Sequence, residues 1–193
     1  MFKIVKEDEL GPAADLIQDG LKDASAAMGA ILQTPIDIKK INYDVESAQD
    51  ILKFSSKTED PLHLLRTELM GDLQGVCYLI LSQDEVDKII TSCLAPEMVK
   101  DMKDGFLTEL DNMVAAAVIT QFSDQTGLTL FGHVPSLIMK KSDEANKHIE
   151  EESKEFSSVL HFKAVFHGSE LDISPDFIWM VQEEFVDKIK TLS

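Results

Sequence analysis

Apolar positions recur along the chain with two distinct periods. Ile17, Leu21, Ala24, Met28 and Ile31 follow one another at steps of four, three, four and three. That is one face of a helix, so a long amphipathic helix is expected from the region of Glu7 to Pro12 up to Pro35. Ile36, Ile38, Ile41, Tyr43 and Val45 predict a strand whose alternation shifts once; Ser47 to Phe54 reads equally as a helical turn or as its continuation. Leu62–Met70 and Gly75–Leu81 flank Gly71-Asp72 and predict a hairpin. Its second arm, GVCYLIL, is apolar almost throughout, as a strand buried on both faces must be. Ser82-Gln83-Asp84-Glu85 has the form of a capping box, and Val86, Ile89, Ile90 and Cys93 continue it as a helix. Short β-like stretches are expected at residues 1–6, 158–167, 171–173 and 177–181, and an amphipathic helix from Glu183 to Leu192.

The stretch from Pro96 to Pro135 carries the candidate chemistry. Phe106, Leu110, Met113 and Ala117 predict the apolar face of a helix that stops near Gly127, a residue suited to a helix end. A strand over Leu128–Val134 follows, closed by Pro135. At ~100° per residue, Gly105, Glu109, Asn112 and Ala116 fall on one neighbouring stripe. A carboxylate and an amide therefore project together, and small residues beside them leave room for another surface. After Pro135, the Lys- and Glu-rich residues from Met139 to Glu155 read as a solvated loop or exposed helix.

Charge narrows the field of partners. Eighteen basic residues against 35 acidic ones give a net charge of −17, which repels phosphate backbones and anionic lipids. Nucleic-acid and membrane-surface functions are therefore not expected. No apolar run is long enough to span a bilayer, and the first residues, MFKIVKEDEL, lack the centre of a secretory signal, so a cytoplasmic protein is expected. Cys77 and Cys93 read as reduced small hydrophobes. His63, His133, His161 and His167 form no recognisable metal set, and Phe177 and Trp179 read as core.

The chain also resembles itself. LSQDEVDKI (81–89) matches VQEEFVDKI (181–189) at an offset of 100, and Gln33-Thr34 matches Gln125-Thr126 at an offset of 92. The order is the same in both halves, which implies a duplication: about residues 1–95 and 96–193 of one domain. Extending the alignment through the long helices sets Asp15 against Glu109 and Gln18 against Asn112. The first half then carries a degenerate Asp-x-x-Gln pair, and Ile41 stands where the second half has Pro135.

Glu109-x-x-Asn112 followed after 22 residues by Pro135 resembles the signature of the CheC/CheX/FliY family of bacterial chemotaxis phosphatases. The family pattern prefers Asp or Ser four residues before the Glu, where this chain has Gly105 next to Asp104. The resemblance implies an α/β (α+β) domain with pseudo-two-fold symmetry, two long helices lying on one side of a six-stranded, mainly antiparallel sheet. It implies a phosphatase acting on the aspartyl phosphate of a CheY-like response regulator, with Glu109 and Asn112 catalytic and Pro135 and Gly105 structural. No cofactor is expected in this chain; the Mg²⁺ belongs to the regulator. CheD and a second copy of the chain are further possible partners. The contrasting expectation is a non-catalytic adaptor for a receiver domain, the flagellar switch or a CheD-type deamidase. A carboxylate-based metal enzyme is a distant third, since the acids do not converge at ligand spacing.

Overall fold

A computed structural model describes residues 3–4, 12–32, 35–42, 60–168 and 171–190. The elements run β1 (Lys3–Ile4), α1 (Pro12–Leu32), β2 (Ile36–Asn42), β3 (Leu62–Gly71), β4 (Gly75–Leu81), α2 (Gln83–Cys93), α3 (Val99–Thr126), β5 (Leu130–Gly132), β6 (Ser136–Lys140), α4 (Ser142–Ser153), β7 (Ser158–Gly168), β8 (Asp172–Ile173), β9 (Asp176–Val181) and α5 (Glu183–Lys190). The expected strand residues Tyr43 and Val45, the 47–54 segment and helix residues 191–192 lie outside the described residues.

Among the described residues, all the strands form one sheet of nine, antiparallel except for β1 against β7. Three of them, β1, β5 and β8, have only two or three residues. The six longer strands make a continuous antiparallel run in the order β2-β7-β9-β4-β3-β6. Exchanging the two halves of the sequence maps this order onto itself: β2, β3 and β4 trade places with β6, β7 and β9. The register at the centre obeys the same exchange. Cys77 lies opposite Trp179 and Leu79 opposite Phe177, pairs that an offset of 100 interconverts.

The main core lies between the sheet and one layer of helices. Ile17, Leu21, Ala24 and Met28 of α1 and Leu107, Leu110, Val114, Val118 and Phe122 of α3 are buried against Leu65, Leu79, Phe166, Phe177 and Trp179 of the sheet. At Ile17, Leu21, Ala24 and Met28 the α1 face is the expected one, and the side chain of Ile31 lies outside the described residues. The α3 face is rotated from expectation: of the four stripe residues only Leu110 is buried, and Phe106, Met113 and Ala117 are partly buried beside it. Helix α3 also begins at Val99, three residues after Pro96, and ends at Gly127, whose φ of 68° gives the left-handed cap.

The other sheet face is covered too. Ala145 and Ile149 of α4 pack on Leu62, Leu64, Val76, Tyr78 and Ile80. This second layer explains why every residue of GVCYLIL is buried. The 139–155 segment, expected as a solvated loop or exposed helix, supplies the last two residues of β6 and a helix, α4, with one buried stripe. Arg66 fastens α4 to the sheet, donating through Nε and Nη2 to Glu152 Oε1 at 2.9 and 2.7 Å, while the Tyr78 hydroxyl donates to the other carboxylate oxygen. The capping box of α2 forms as expected, and the β2 alternation shifts between Ile38 and Lys40. Gly71, at φ 114°, turns β3 where the Thr129 carbonyl would sit 2.0 Å from any Cβ, so only glycine fits.

Candidate functional site

Helix α3 divides its circumference sharply. At ~100° per residue, the buried positions from Leu107 to Phe122 cover about half of it. The stripe of Gly105, Glu109, Asn112 and Ala116 lies on the opposite side, and all four residues are exposed. Between the two polar residues the helix turns inward: Leu110 and Asp111 are both buried. A Cβ built on Gly105 meets no atom within 4 Å, so the notch beside Glu109 is open solvent and glycine is not needed there for packing. The amide and the carboxylate are therefore both free to meet a partner, and the ridge between them carries no bulky residue.

The matching residues of α1 share this disposition. Asp15 and Gln18 are exposed, and Ile17 between them is buried. Helices α1 and α3 touch at Gly20, where an added Cβ would lie 2.6 Å from Val118 Cα. Gln121 Nε2 donates to Asp23 Oδ2 across the same contact at 2.8 Å. Pro135 is buried between β5 and β6. The expected strand over 128–134 is reduced to Leu130–Gly132, and Pro135 precedes β6 instead of closing a single strand. The shortening follows from pairing: Leu130, Phe131 and Gly132 lie opposite Gly71, Met70 and Leu69, and the next paired residue of this segment is Ser136, opposite Arg66.

One polar residue at this site was invisible to periodicity. Asp111 adjoins Asn112 in sequence but points into the core at 2% exposure. It accepts a hydrogen bond from Thr67 Oγ1 of β3 at 2.8 Å. Burial pushes its carboxyl up to about 7, against the opposing pull of the Thr67 bond. Its only sequence signal is an acid at a position that falls inside the helix's buried arc.

His133 is exposed, and its backbone N–H donates to the Glu68 carbonyl. His63 is fully buried, and neither ring nitrogen has a hydrogen-bond partner. His161 and Lys163 pair with Asp176. Both cysteines are free; burial pushes the Cys77 thiol well up and Cys93 up to about 11, so neither is poised as a nucleophile. Among the described residues no cluster of three or more His, Cys, Asp or Glu is arranged to hold a metal ion, and no helix is long and apolar enough to cross a membrane.

A mixed α+β domain, with long helices on one face of a curled antiparallel sheet and a paired acid and amide on one of them, is the class that fold and site define. No family model matches the sequence. The CheY-P phosphatase CheC of Bacillus subtilis is 24% identical over 144 residues, covering 71% of this chain and 69% of that protein. FliY of Thermotoga maritima superposes with a TM-score of 0.67 at 14% identity, covering 97% of this chain and 96% of that one. The CheX–CheY–BeF3–Mg²⁺ complex of Borrelia burgdorferi contains a chain of similar fold, with a TM-score of 0.56 at 15% identity, covering 88% and 99%. In sequence the chain is thus similar to CheC, and in fold it is similar to FliY and CheX.

Proposed function

We propose that this chain accelerates hydrolysis of the aspartyl phosphate on a CheY-like response regulator in the cytoplasm, using Glu109 and Asn112. One observation carries the reading: both side chains are exposed on a single ridge of a helix whose opposite side is fixed in the core. Likeness to a CheY-P phosphatase and to a CheX chain solved together with CheY supports the choice of partner.

The chemistry asks little of such a ridge. An acyl phosphate is already activated, and its loss requires a water held in line with phosphorus and stabilisation of the charge on the leaving oxygens. The regulator brings its own Mg²⁺ as part of the substrate. A carboxamide can position water through one donor and one acceptor while remaining neutral at any physiological pH, which suits Asn112. A carboxylate close to phosphate oxygens would repel them, so Glu109 is assigned to pair with a cation of the regulator and set the docking register. Gly105 and Ala116 keep the ridge low enough for close approach. Pro135 shapes the β5–β6 junction and meets no substrate. The Asp15/Gln18 pair has the same chemical types with side-chain lengths reversed, so it would not place water at the same point. A second copy of the chain and a CheD-type deamidase are further partners consistent with this assignment.

The test is the decay of phosphate on a purified receiver, timed with and without the protein. Wild type should shorten the lifetime, Asn112→Ala should lose the acceleration by on the order of a hundredfold, and Gln18→Ala should retain it. Undiminished acceleration by a folded Asn112→Ala variant would remove Asn112 from the mechanism. Binding to the receiver without any change in phosphate lifetime would favour the adaptor role instead.

A further inference from the structure

We infer that Asp111 is a positioning residue: its bond to Thr67 fixes the rotation of α3 about its own axis, and with it the direction in which Asn112 points. The consequence for turnover rests on the phosphatase reading; the placement itself does not.

The apolar contacts of α3 resist separation from the sheet, but apolar attraction has no preferred direction. Leu110, Val114 and Val118 would fill the same space after a small roll of the helix. A hydrogen bond does have a preferred direction, and the Thr67–Asp111 bond, at 2.8 Å, is buried from water's competition. Both ends of the pin are themselves held. Thr67 lies mid-strand in β3, opposite Cys77 of β4. A Cβ built on Gly132 of β5 would come within 2.9 Å of Thr67 Cγ2, so the Thr67 side chain is hemmed in on its other side. Cys77 Sγ also donates to the Thr67 carbonyl at 3.5 Å. Asp111 is the immediate chain neighbour of Asn112, so no flexible segment separates the pin from the amide.

The lever is short and steep. With a helix radius of about 5–6 Å including side chains, a roll of ~15° carries the tip of Asn112 roughly 1.5 Å sideways. A misplacement of about 1 Å at a reacting centre is enough to cost on the order of a hundredfold in rate. The matching position of the other long helix is apolar: it is the buried Ile17. The strand position matching Thr67 is Phe162, which lies opposite Phe177 as Thr67 lies opposite Cys77. Among the described residues, this polar pin lies beneath the half that carries Glu-x-x-Asn.

Thr67→Val preserves shape and removes the donor; Asp111→Asn preserves an acceptor oxygen and removes the charge. With rates measured across receiver concentrations, Thr67→Val should lower kcat by about tenfold or more at unchanged KM, and Asp111→Asn should keep kcat within about threefold of wild type. Thr67→Ala replaces Thr67→Val if the latter does not fold. A second readout needs no turnover: the Asn112 side-chain amide resonances should shift in the Thr67 variant, while those of Gln18 on α1 stay in place. Wild-type kcat with unmoved Asn112 resonances in a folded Thr67 variant overturns the inference, as does a change confined to KM. A wild-type protein that leaves receiver phosphate untouched overturns the phosphatase reading alone, and the Asn112 resonances then decide whether the pin exists.

Discussion

Among the described residues, Asp111 and His63 are buried side chains that burial shifts toward neutral forms within the range from acid to neutral pH, and they act in opposite directions with pH. The Asp111 carboxyl sits at about 7 in the folded protein, against about 3.9 in an unfolded chain. Between those values the folded state binds the extra proton, so this group's contribution to stability falls as pH rises from about 4 to about 7 and stays low above that. Asp111→Asn abolishes the dependence. The variant should match wild type near pH 4 and be more stable at pH 8, by on the order of 1–3 kcal/mol, as read from denaturant midpoints at the two pH values. An equal midpoint at pH 8 would mean that the ionised carboxylate is fully compensated in the core. His63 is held below the ordinary histidine range, first by burial and then by the charge of Lys103, against the weaker pull of Asp104 and Asp87. It contributes stability above the unfolded value of about 6.5 and loses it as pH falls below that. Comparing Asp111→Asn with wild type cancels this second slope. Neither burial was legible in the sequence, because it depends on strand and helix partners distant in the chain. The outward placement of Glu109 and Asn112 was legible, because it needs only the helical period.

Among the elements, the contact between α1 and α3 decides more than their separate sequences suggest. Helix α3 packs against both the sheet and α1, so its buried arc is about twice as wide as a single apolar stripe and is centred on residues such as Val114 and Val118. Phe106, Met113 and Ala117 form the flank between this arc and the exposed ridge, which is why an apolar stripe drawn through them has the right neighbour and the wrong centre. The buried stripe of α4 escapes the sequence for a related reason. The helix's polar composition reflects its exposed outer side, and the small buried stripe of Ala145 and Ile149 is hard to see among lysines and glutamates. Gly20 is a point of close contact between the two long helices. In an isolated helix, replacing glycine by alanine would stabilise by roughly 1 kcal/mol. Here the new Cβ would sit 2.6 Å from the Val118 backbone, which a side-chain rotation cannot relieve. Gly20→Ala should therefore be net destabilising, by about 1–3 kcal/mol in chemical denaturation. A stabilised variant would show that the helices can part without loss.

At the scale of the whole molecule, the self-similarity of the sequence and the symmetry of the strand order point the same way, and we propose that both descend from one duplicated unit. The sequence could display the repeat, but it could not show how the copies are joined, because local similarity carries no information about which strands pair. The two halves interleave. Among the described residues, β2 of the first half pairs with β7 of the second, β6 of the second pairs with β3 of the first, and β9 meets β4 at the centre. Within residues 96–193 alone, only β7 keeps its pairings with β8 and β9, while β5 and β6 lose their partner strand and α3 loses both α1 and Thr67. A lone hairpin is marginal in water, and a helix with half its circumference bared cannot make up the deficit. The 96–193 fragment, although it contains Glu109, Asn112 and Pro135, should show no cooperative thermal transition by circular dichroism and no effect on receiver phosphate. Mixing it with a 1–95 fragment should restore both together, since the same strand pairings build the sheet and seat the ridge-bearing helix. A fragment that melts cooperatively alone would mean that the exchange of strands between halves is dispensable, and that the site belongs to one half rather than to the joined domain.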